Sequence, residues 1–377
     1  MKRILSLMLV LPLTAYAVTA CSKQSSDDEA NTPGAGGGDN GGGGGGANGG
    51  GDGTPKPTED ELKKNPIEGV APPKAVFEAG AFTDGPVWHA KLGVLFFSTP
   101  LGEGAIYRML PDGRAMKVRD GVRAQGTTPV GNTINEAGEI ITVEIKRISK
   151  FGFDEKNMPL APTVIATGYA PGAAPPPPAT PPDPANPTPP PTSAPGQFDT
   201  LNDVAVNKDG TLYVTDPGFF ENPQANRIYR VAPDGTVQVV EAFEDVPRPN
   251  GIAMSADGKN LYVGFTAPIK GTLPFIRQYI VNPDGTLGEW TKFVDIGPED
   301  SEPDGIAVDM AGNVYVATKA GIEVYKSDST KVGVVAMPPE EKPTGITFGG
   351  KDMKSLYITT EGVKIWELRL NVPGISQ

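Results

Sequence analysis

A short phrase recurs along most of this chain. It consists of a polar opening residue, a run of small and β-branched residues, an Asp-Gly or Ala-Gly turn, and a second run ending on aromatic and β-branched residues. Asn202 to Val214 and Asn250 to Val263 spell it out in full. Two extended runs joined in this way mark an antiparallel hairpin, because glycine takes the positive φ that a tight turn needs. The openings fall at Asp84, Val130, Asn202, Asn250, Asp304 and Thr344, at intervals of 46, 72, 48, 54 and 40 residues. The long interval holds a proline-rich stretch, Pro171 to Pro195, and without those 25 residues it becomes 47. Units of this length, each with room for about four short strands, stack as blades around one axis. The expected fold is all-β: a six-bladed β-propeller with four-stranded antiparallel blades around a central channel. The strand near Ala75 to Glu78 is placed to complete the last blade and close the ring.

Helical periodicity is nearly absent after Val76. Runs such as Gly93-Val94-Leu95-Phe96-Phe97 do not alternate cleanly, as expected of strands covered on both faces by neighbouring blades. Tyr213, Tyr262, Tyr315 and Tyr357 stand at matching places in their units and are read as inter-blade packing, without a catalytic role.

The first 75 residues obey a different grammar. Lys2 and Arg3 precede a largely apolar run from Ile4 to Val18, too short and too interrupted for a stable membrane span, so residues 1–20 read as an export signal. The run ends in Val18-Thr19-Ala20-Cys21, which matches the lipobox of bacterial lipoproteins. That resemblance implies a lipidated Cys21, a membrane anchor, and, with Ser22 rather than Asp following, the outer membrane. An ordinary signal peptide cut nearby is the alternative. Residues 21–75, with polyglycine from Gly41 to Gly46 and prolines at 55 and 57, read as a flexible tether, with at most a helical turn around Thr58 to Lys64. Residues 76–377 are left for the propeller.

Composition removes several classes of function. The net charge of −12 argues against nucleic acid, and no basic stripe carries interleaved aromatics. Cys21 is the one cysteine, so no internal disulfide and no cysteine nucleophile is possible. His89 is the one histidine, which excludes a histidine-rich zinc site; it reads as structural. No Gly-x-Ser-x-Gly elbow and no phosphate-binding glycine loop occurs. Nothing in the sequence calls for an oligomer, and a monomer is expected.

The chemistry is concentrated at the openings. Units related by rotation place equivalent residues in a ring at one end of the channel. Asp84, Asn202, Asn250 and Asp304 would therefore converge there as two carboxylates and two amides. An all-oxygen set suits a hard cation, Ca²⁺ above all, with Mg²⁺, Mn²⁺ or Zn²⁺ as alternatives. Each of these residues is also an ordinary turn former. Turn chemistry accounts for polar residues, but not for oxygen donors at the same phase of four units.

At these residues the chain resembles the senescence-marker-protein/gluconolactonase family, which includes regucalcin and sugar lactonases. The resemblance runs from Val76 to Gly374. It is carried by Asp84-Gly85-Pro86-Val87-Trp88, Leu201-Asn202-Asp203 with Thr215-Asp216-Pro217, Arg248-Pro249-Asn250-Gly251, Glu302-Pro303-Asp304-Gly305 with Gly312-Asn313-Val314-Tyr315, and Leu370 to Gly374. It implies a six-bladed propeller with one divalent cation. Asp84, Asn250 and Asp304 would be ligands, Asn202 a substrate or metal contact, and Asp304 the general base or the residue activating water. A lactone or related ester would be hydrolysed, the cation polarising its carbonyl.

Four departures stand out. Asp84 replaces the family's glutamate. The second unit reads Pro129-Val130-Gly131-Asn132 where gluconolactonase-like members have Asn-Gly. Thr142-Val143-Glu144-Ile145 lacks their Glu-His pair, and Thr200 stands where some members carry a substrate-contacting arginine. These keep two other readings open: a phosphotriester or aryl-ester hydrolase, and a non-catalytic binding or scaffold propeller with a structural metal. The insertion 171–195 precedes Asn202 and is expected at the metal end, as a lid, a spacer or a loop without function.

Overall fold

The structure is a computed structural model that describes residues 56–375, except 102–103, 111, 170–195, 220–225, 244–247, 267–270 and 299–300. The export signal, Cys21, most of the tether and the insertion 171–195 lie outside the described residues. No helix among the described residues is long and apolar enough to cross a membrane.

The chain folds as the repeat demands, into six four-stranded antiparallel sheets arranged as a propeller. The innermost strands are Asp84–His89, Pro129–Ile134, Val204–Val206, Arg248–Met254, Ile306–Val308 and Pro343–Gly349. Blades one to five are each built from four consecutive strands. Blade six takes three strands from the end of the chain, and its outer strand is Lys74–Glu78, paired antiparallel with Lys364–Arg369. This is the expected closure.

The Asp-Gly punctuation works through a left-handed glycine and one aspartate side-chain bond per turn. Gly210, Gly235 and Gly285 take φ near +85, +86 and +75. The preceding aspartates then accept the amide of the residue after the glycine: Thr211 to Asp209 at 2.8 Å, Thr236 to Asp234 at 2.9 Å and Thr286 to Asp284 at 3.0 Å. A side chain that satisfies a turn amide in this way fixes where each strand reverses.

The core is divided into wedges, one between each pair of neighbouring blades. Ile141, Val143 and Ile148 of blade two pack on Val204, Leu212 and Val214 of blade three. Tyr213 and Ile228 of blade three pack on Ile252, Leu261 and Val263 of blade four. Leu95 and Phe97 of blade one meet Tyr357 and Ile365 of blade six. The strands are buried on both faces, so their sequences run apolar without alternation. The recurring tyrosines sit in these wedges, where Tyr213 donates to Gly285 O at 2.7 Å, Tyr315 donates to Asp309 at 2.9 Å, and Tyr357 stacks on Trp88. His89 is 3 % exposed and structural, its Nε2 3.1 Å from Gly138 O and its Nδ1 accepting from Leu92 N.

The segment from residue 56 to 73, compositionally part of the tether, is docked on the last blade. Thr58 caps a helical turn, Glu59–Leu62, through a complete capping box. Lys354 pairs with Glu61 at 2.7 Å, and Asn371 donates to Asn65 O and Glu68 O at 2.9 and 2.8 Å. Ile67 and Val70 pack against the core between blades five and six. Two apolar side chains and a few exact partners hold this segment, a signal too sparse for composition to carry.

Candidate functional site

The openings of the inner strands meet because the residue after each is small. A Cβ on Gly85 would collide with Val130 O, one on Gly251 with Asp304 O, and one on Gly305 would lie 2.7 Å from the Gly345 Cα. Gly131 and Gly345 are equally tight against blades three and one. Glycine here lets five of the six backbones approach the axis closely. Blade three breaks the pattern, with Asp203 at the glycine position. Its carboxylate does the joining instead, accepting Val204 N at 2.8 Å and Ile252 N of blade four at 3.1 Å.

Asp84, Asn202, Asn250 and Asp304 all line one cavity of about 410 Å³ at this end of the channel. Below it, a pocket of about 30 Å³ is lined by Asp84, Asn202 and Asp304 again, together with Asp203 and Asn132. That volume suits a water molecule or a single ion. The structure thus brings the four predicted residues to one place. The opposite end, a cavity of about 200 Å³, is faced mainly by apolar residues such as Ile134, Met254, Val308 and Phe348.

The donors at this end are short of partners. Asn250 is 6 % exposed, and its Oδ1 is buried without any hydrogen bond. Among the described residues the Asp84 carboxylate accepts only from the neighbouring Gly85 N, at 2.8 Å. Burial, and the charges of other aspartates around the axis, raise the proton affinity of Asp84 and Asp304 well above the usual carboxylate range. Burial also pushes Asp203 up to about 6. Carboxylates held this way fit a positive ion, which removes the desolvation cost and the repulsion together. The fit rests on amides as much as acids: among the described residues no three His, Cys, Asp or Glu are grouped for a metal.

Neighbouring residues fix the positions of these donors. Asp216 is buried and accepts Asp199 N at 2.8 Å, Thr200 N at 2.7 Å and the Tyr229 hydroxyl at 3.1 Å, which holds the loop leading to Asn202. Thr215 Oγ1 donates to Asn250 O at 2.7 Å, tying blade three to blade four. Asn132 turns from the large cavity to donate to Gly85 O and Ser98 Oγ at 2.7 and 2.8 Å. Glu144 is fully buried between Arg119, Arg147 and Ser149, so Ile145 faces the cavity.

The sequence reading missed the charged rim. Lys342 lines the large cavity and bridges Glu302 and Glu361 at 2.5 and 2.6 Å. Arg248 lies over the Phe219 ring, 5.3 Å from its centroid. Glu302, Lys342, Glu361 and Phe219 come from connections between strands, where the repeat imposes no phase, while Arg248 is the first residue of the inner strand of blade four. Asp203 was legible, since it stands where every other unit has glycine.

Residues 82–362 match the family model described as SMP-30/Gluconolactonase/LRE-like region, which covers well over half of the chain. A pentonolactonase of Haloferax volcanii is 33 % identical over 166 residues, 43 % of this chain and 53 % of that protein. A gluconolactonase of Zymomonas mobilis is 27 % identical over 178 residues, 43 % of this chain and 48 % of that protein. The chain thus spans about half the length of the curated relatives it matches. Among solved structures, a gluconolactonase of Xanthomonas campestris superposes with a TM-score of 0.61 at 21 % identity, over 81 % of this chain and 99 % of that one. A calcium-binding regucalcin of Agrobacterium tumefaciens gives 0.59 at 16 % identity, over 82 % and 96 %. At such identities the two structures speak for the fold, while the family match rests on the sequence: the chain belongs to the SMP-30/gluconolactonase/LRE-like family.

Proposed function

We propose that this protein is a lactone hydrolase that works at the glycine-lined end of its channel with one bound divalent cation. Asp84, Asn202, Asn250 and Asp304 would hold the ion. Ca²⁺ is the first choice because all four donors are neutral or anionic oxygens and because a structural neighbour is described as calcium-binding. The observation that carries this reading is Asn250, whose Oδ1 is buried and accepts nothing from any described residue. A buried carbonyl oxygen without a donor costs about 1–3 kcal/mol, and a cation in front of it removes that cost. The names of the sequence relatives, a pentonolactonase and a gluconolactonase, supply the substrate class.

When bound, the cation supplies Lewis acidity toward a carbonyl oxygen. The chain's own residues do the rest. Asn202 orients the substrate over the axis, and Phe82, Leu101 and Phe219 line the cavity and limit water at the reacting group. Asp304, whose carboxylate takes no hydrogen bond from a described residue, accepts the proton of the attacking water. The water oxygen bonds to the lactone carbonyl carbon, the acyl–oxygen bond of the ring breaks, and the ring oxygen leaves as the hydroxyl of the open hydroxy acid, taking back the proton held by Asp304.

The test is hydrolysis of a panel of lactones, aryl esters and phosphotriesters by the full chain in detergent, with Ca²⁺, Mg²⁺, Mn²⁺ or Zn²⁺ added separately. Lactone opening that depends on the ion and is lost in Asp304→Asn, with an unchanged far-UV spectrum, supports the reading. Preference for a phosphotriester would reassign the substrate. Ion binding without turnover of any substrate would favour a scaffold, the reading encouraged by Ile145 at the place of the family's histidine. We also propose that Cys21 carries lipid and anchors the protein to the outer membrane. The supporting feature is the sequence around it, and radiolabelled fatty acid incorporation, lost in Cys21→Ser, is the test.

A further inference from the structure

The charges around the large cavity do not cancel locally. Its acids are Asp84, Asp304, Glu302 and Glu361, and its cationic residues are Arg248 and Lys342. Lys342 is consumed by Glu302 and Glu361. The Arg248 backbone carbonyl accepts from the Thr266 hydroxyl, but its guanidinium makes no hydrogen bond or ion pair with any described residue. The guanidinium lies over the face of Phe219; burial disfavours its charge, and the charge of Asp199 favours it. A planar cation braced by a ring and left without an acceptor is pre-organised for a carboxylate, which can take two of its N–H groups in parallel.

A second group stands beside it. Thr200 is 3 % exposed, its backbone N–H is bound to Asp216, and its Oγ1 is buried without a hydrogen-bond partner among the described residues, in the lining of the same cavity. The cavity therefore offers a guanidinium from blade four and a hydroxyl from the loop entering blade three that no described residue engages.

Resting on the lactonase reading above, we propose that the substrate is an acidic lactone, a sugar-acid lactone with a second carboxyl group, which Arg248 binds while Thr200 takes a ring hydroxyl. Arg248 then selects among lactones, and the axial donors act on the scissile carbonyl. The two roles are carried by different side chains, so they can be separated experimentally.

Equilibrium binding separates recognition from turnover. Titration calorimetry of the full chain in detergent with Ca²⁺ would use tetrahydrofuran-2-carboxylate and its uncharged carboxamide, neither of which can be hydrolysed at the ring. The carboxylate is expected to bind about tenfold tighter or more, a typical gain for a bidentate charge-assisted pair. Arg248→Gln should erase the difference and Arg248→Lys should keep part of it, with thermal unfolding confirming that both variants fold. Equal affinities for the two probes in the wild type, or binding of neither, overturn the proposal. In a kinetic arm, the ratio of kcat/KM for an acidic lactone over a neutral one should collapse in Arg248→Gln. Hydrolysis of neutral lactones with no preference for acidic ones overturns this inference alone. Carboxylate-selective binding without any lactone turnover supports the Arg248 assignment and overturns the hydrolase reading.

Discussion

Gly251 presses so closely on the carbonyl oxygen of Asp304 that no side chain fits between them. The two candidate donors Asn250 and Asp304 are thereby held by one backbone contact, since Gly251 follows the first and touches the second. Gly251→Ala is expected to destabilise the fold by about 1–3 kcal/mol, the range for overpacking a tight site, and to weaken ion binding as blades four and five separate. Gly152→Ala is the control: its nearest neighbour would be Glu139 Cγ at 3.7 Å, an ordinary contact, and its urea midpoint should not move.

Removal of the ion should loosen the whole ring. Burial raises the proton affinity of Asp84, Asp203 and Asp304, and the charge of Asp203 on Asp84 and those of Asp84 and Asp203 on Asp304 add to it. Chelation is expected to lower the thermal midpoint, and readdition of Ca²⁺ to restore it. Asn250→Ala should abolish the chelator effect while removing the buried, unpartnered oxygen. An unchanged midpoint in the wild type after exhaustive chelation would refute the ion site.

Asp216 is a positioning residue with a measurable signature. Asp216→Ala leaves the buried amides of Asp199 and Thr200 without an acceptor, which should cost about 2–4 kcal/mol at one or more kcal/mol per orphaned donor. Because that loop carries Asn202 and Thr200, the variant should also lose affinity for ion and ligand at temperatures where it is still folded. Chemical denaturation and calorimetry on the same sample distinguish the two losses.

His89 gives a pH dependence of definite sign. Burial lowers its proton affinity below the ordinary value of 6.5, and Nδ1 already accepts the Leu92 amide, so a second proton has no acceptor to meet. A group whose folded pKa is depressed contributes stability that is complete above the unfolded value and disappears as pH falls through the folded one. The urea midpoint of the wild type relative to His89→Gln should therefore shrink as pH drops below 6.5. A constant difference between pH 5 and 8 would show that His89 is not the titrating group.

The parts legible in the sequence are those that the repeat controls. Six openings in phase predicted six inner strands, and the same phase brought Asp84, Asn202, Asn250 and Asp304 to one cavity. Residues outside the repeat escaped. Lys342, Glu302 and Glu361 meet only because three connections fold over the same mouth, and the stacking of Arg248 on Phe219 joins two blades through side chains alone. Asn371 binds Asn65 and Glu68 across about 300 residues of sequence, a distance at which no local pattern carries information.

The closing strand has a consequence for biosynthesis. Lys74–Glu78 leaves the ribosome first among the strands, and its partner, Lys364–Arg369, leaves last. Throughout translation the growing chain therefore exposes an edge that nothing can yet cover, and release of the final segment is what locks the circle. A stalled or shortened chain, even one that lacks only its last dozen residues, leaves that edge open to other nascent chains and to proteases.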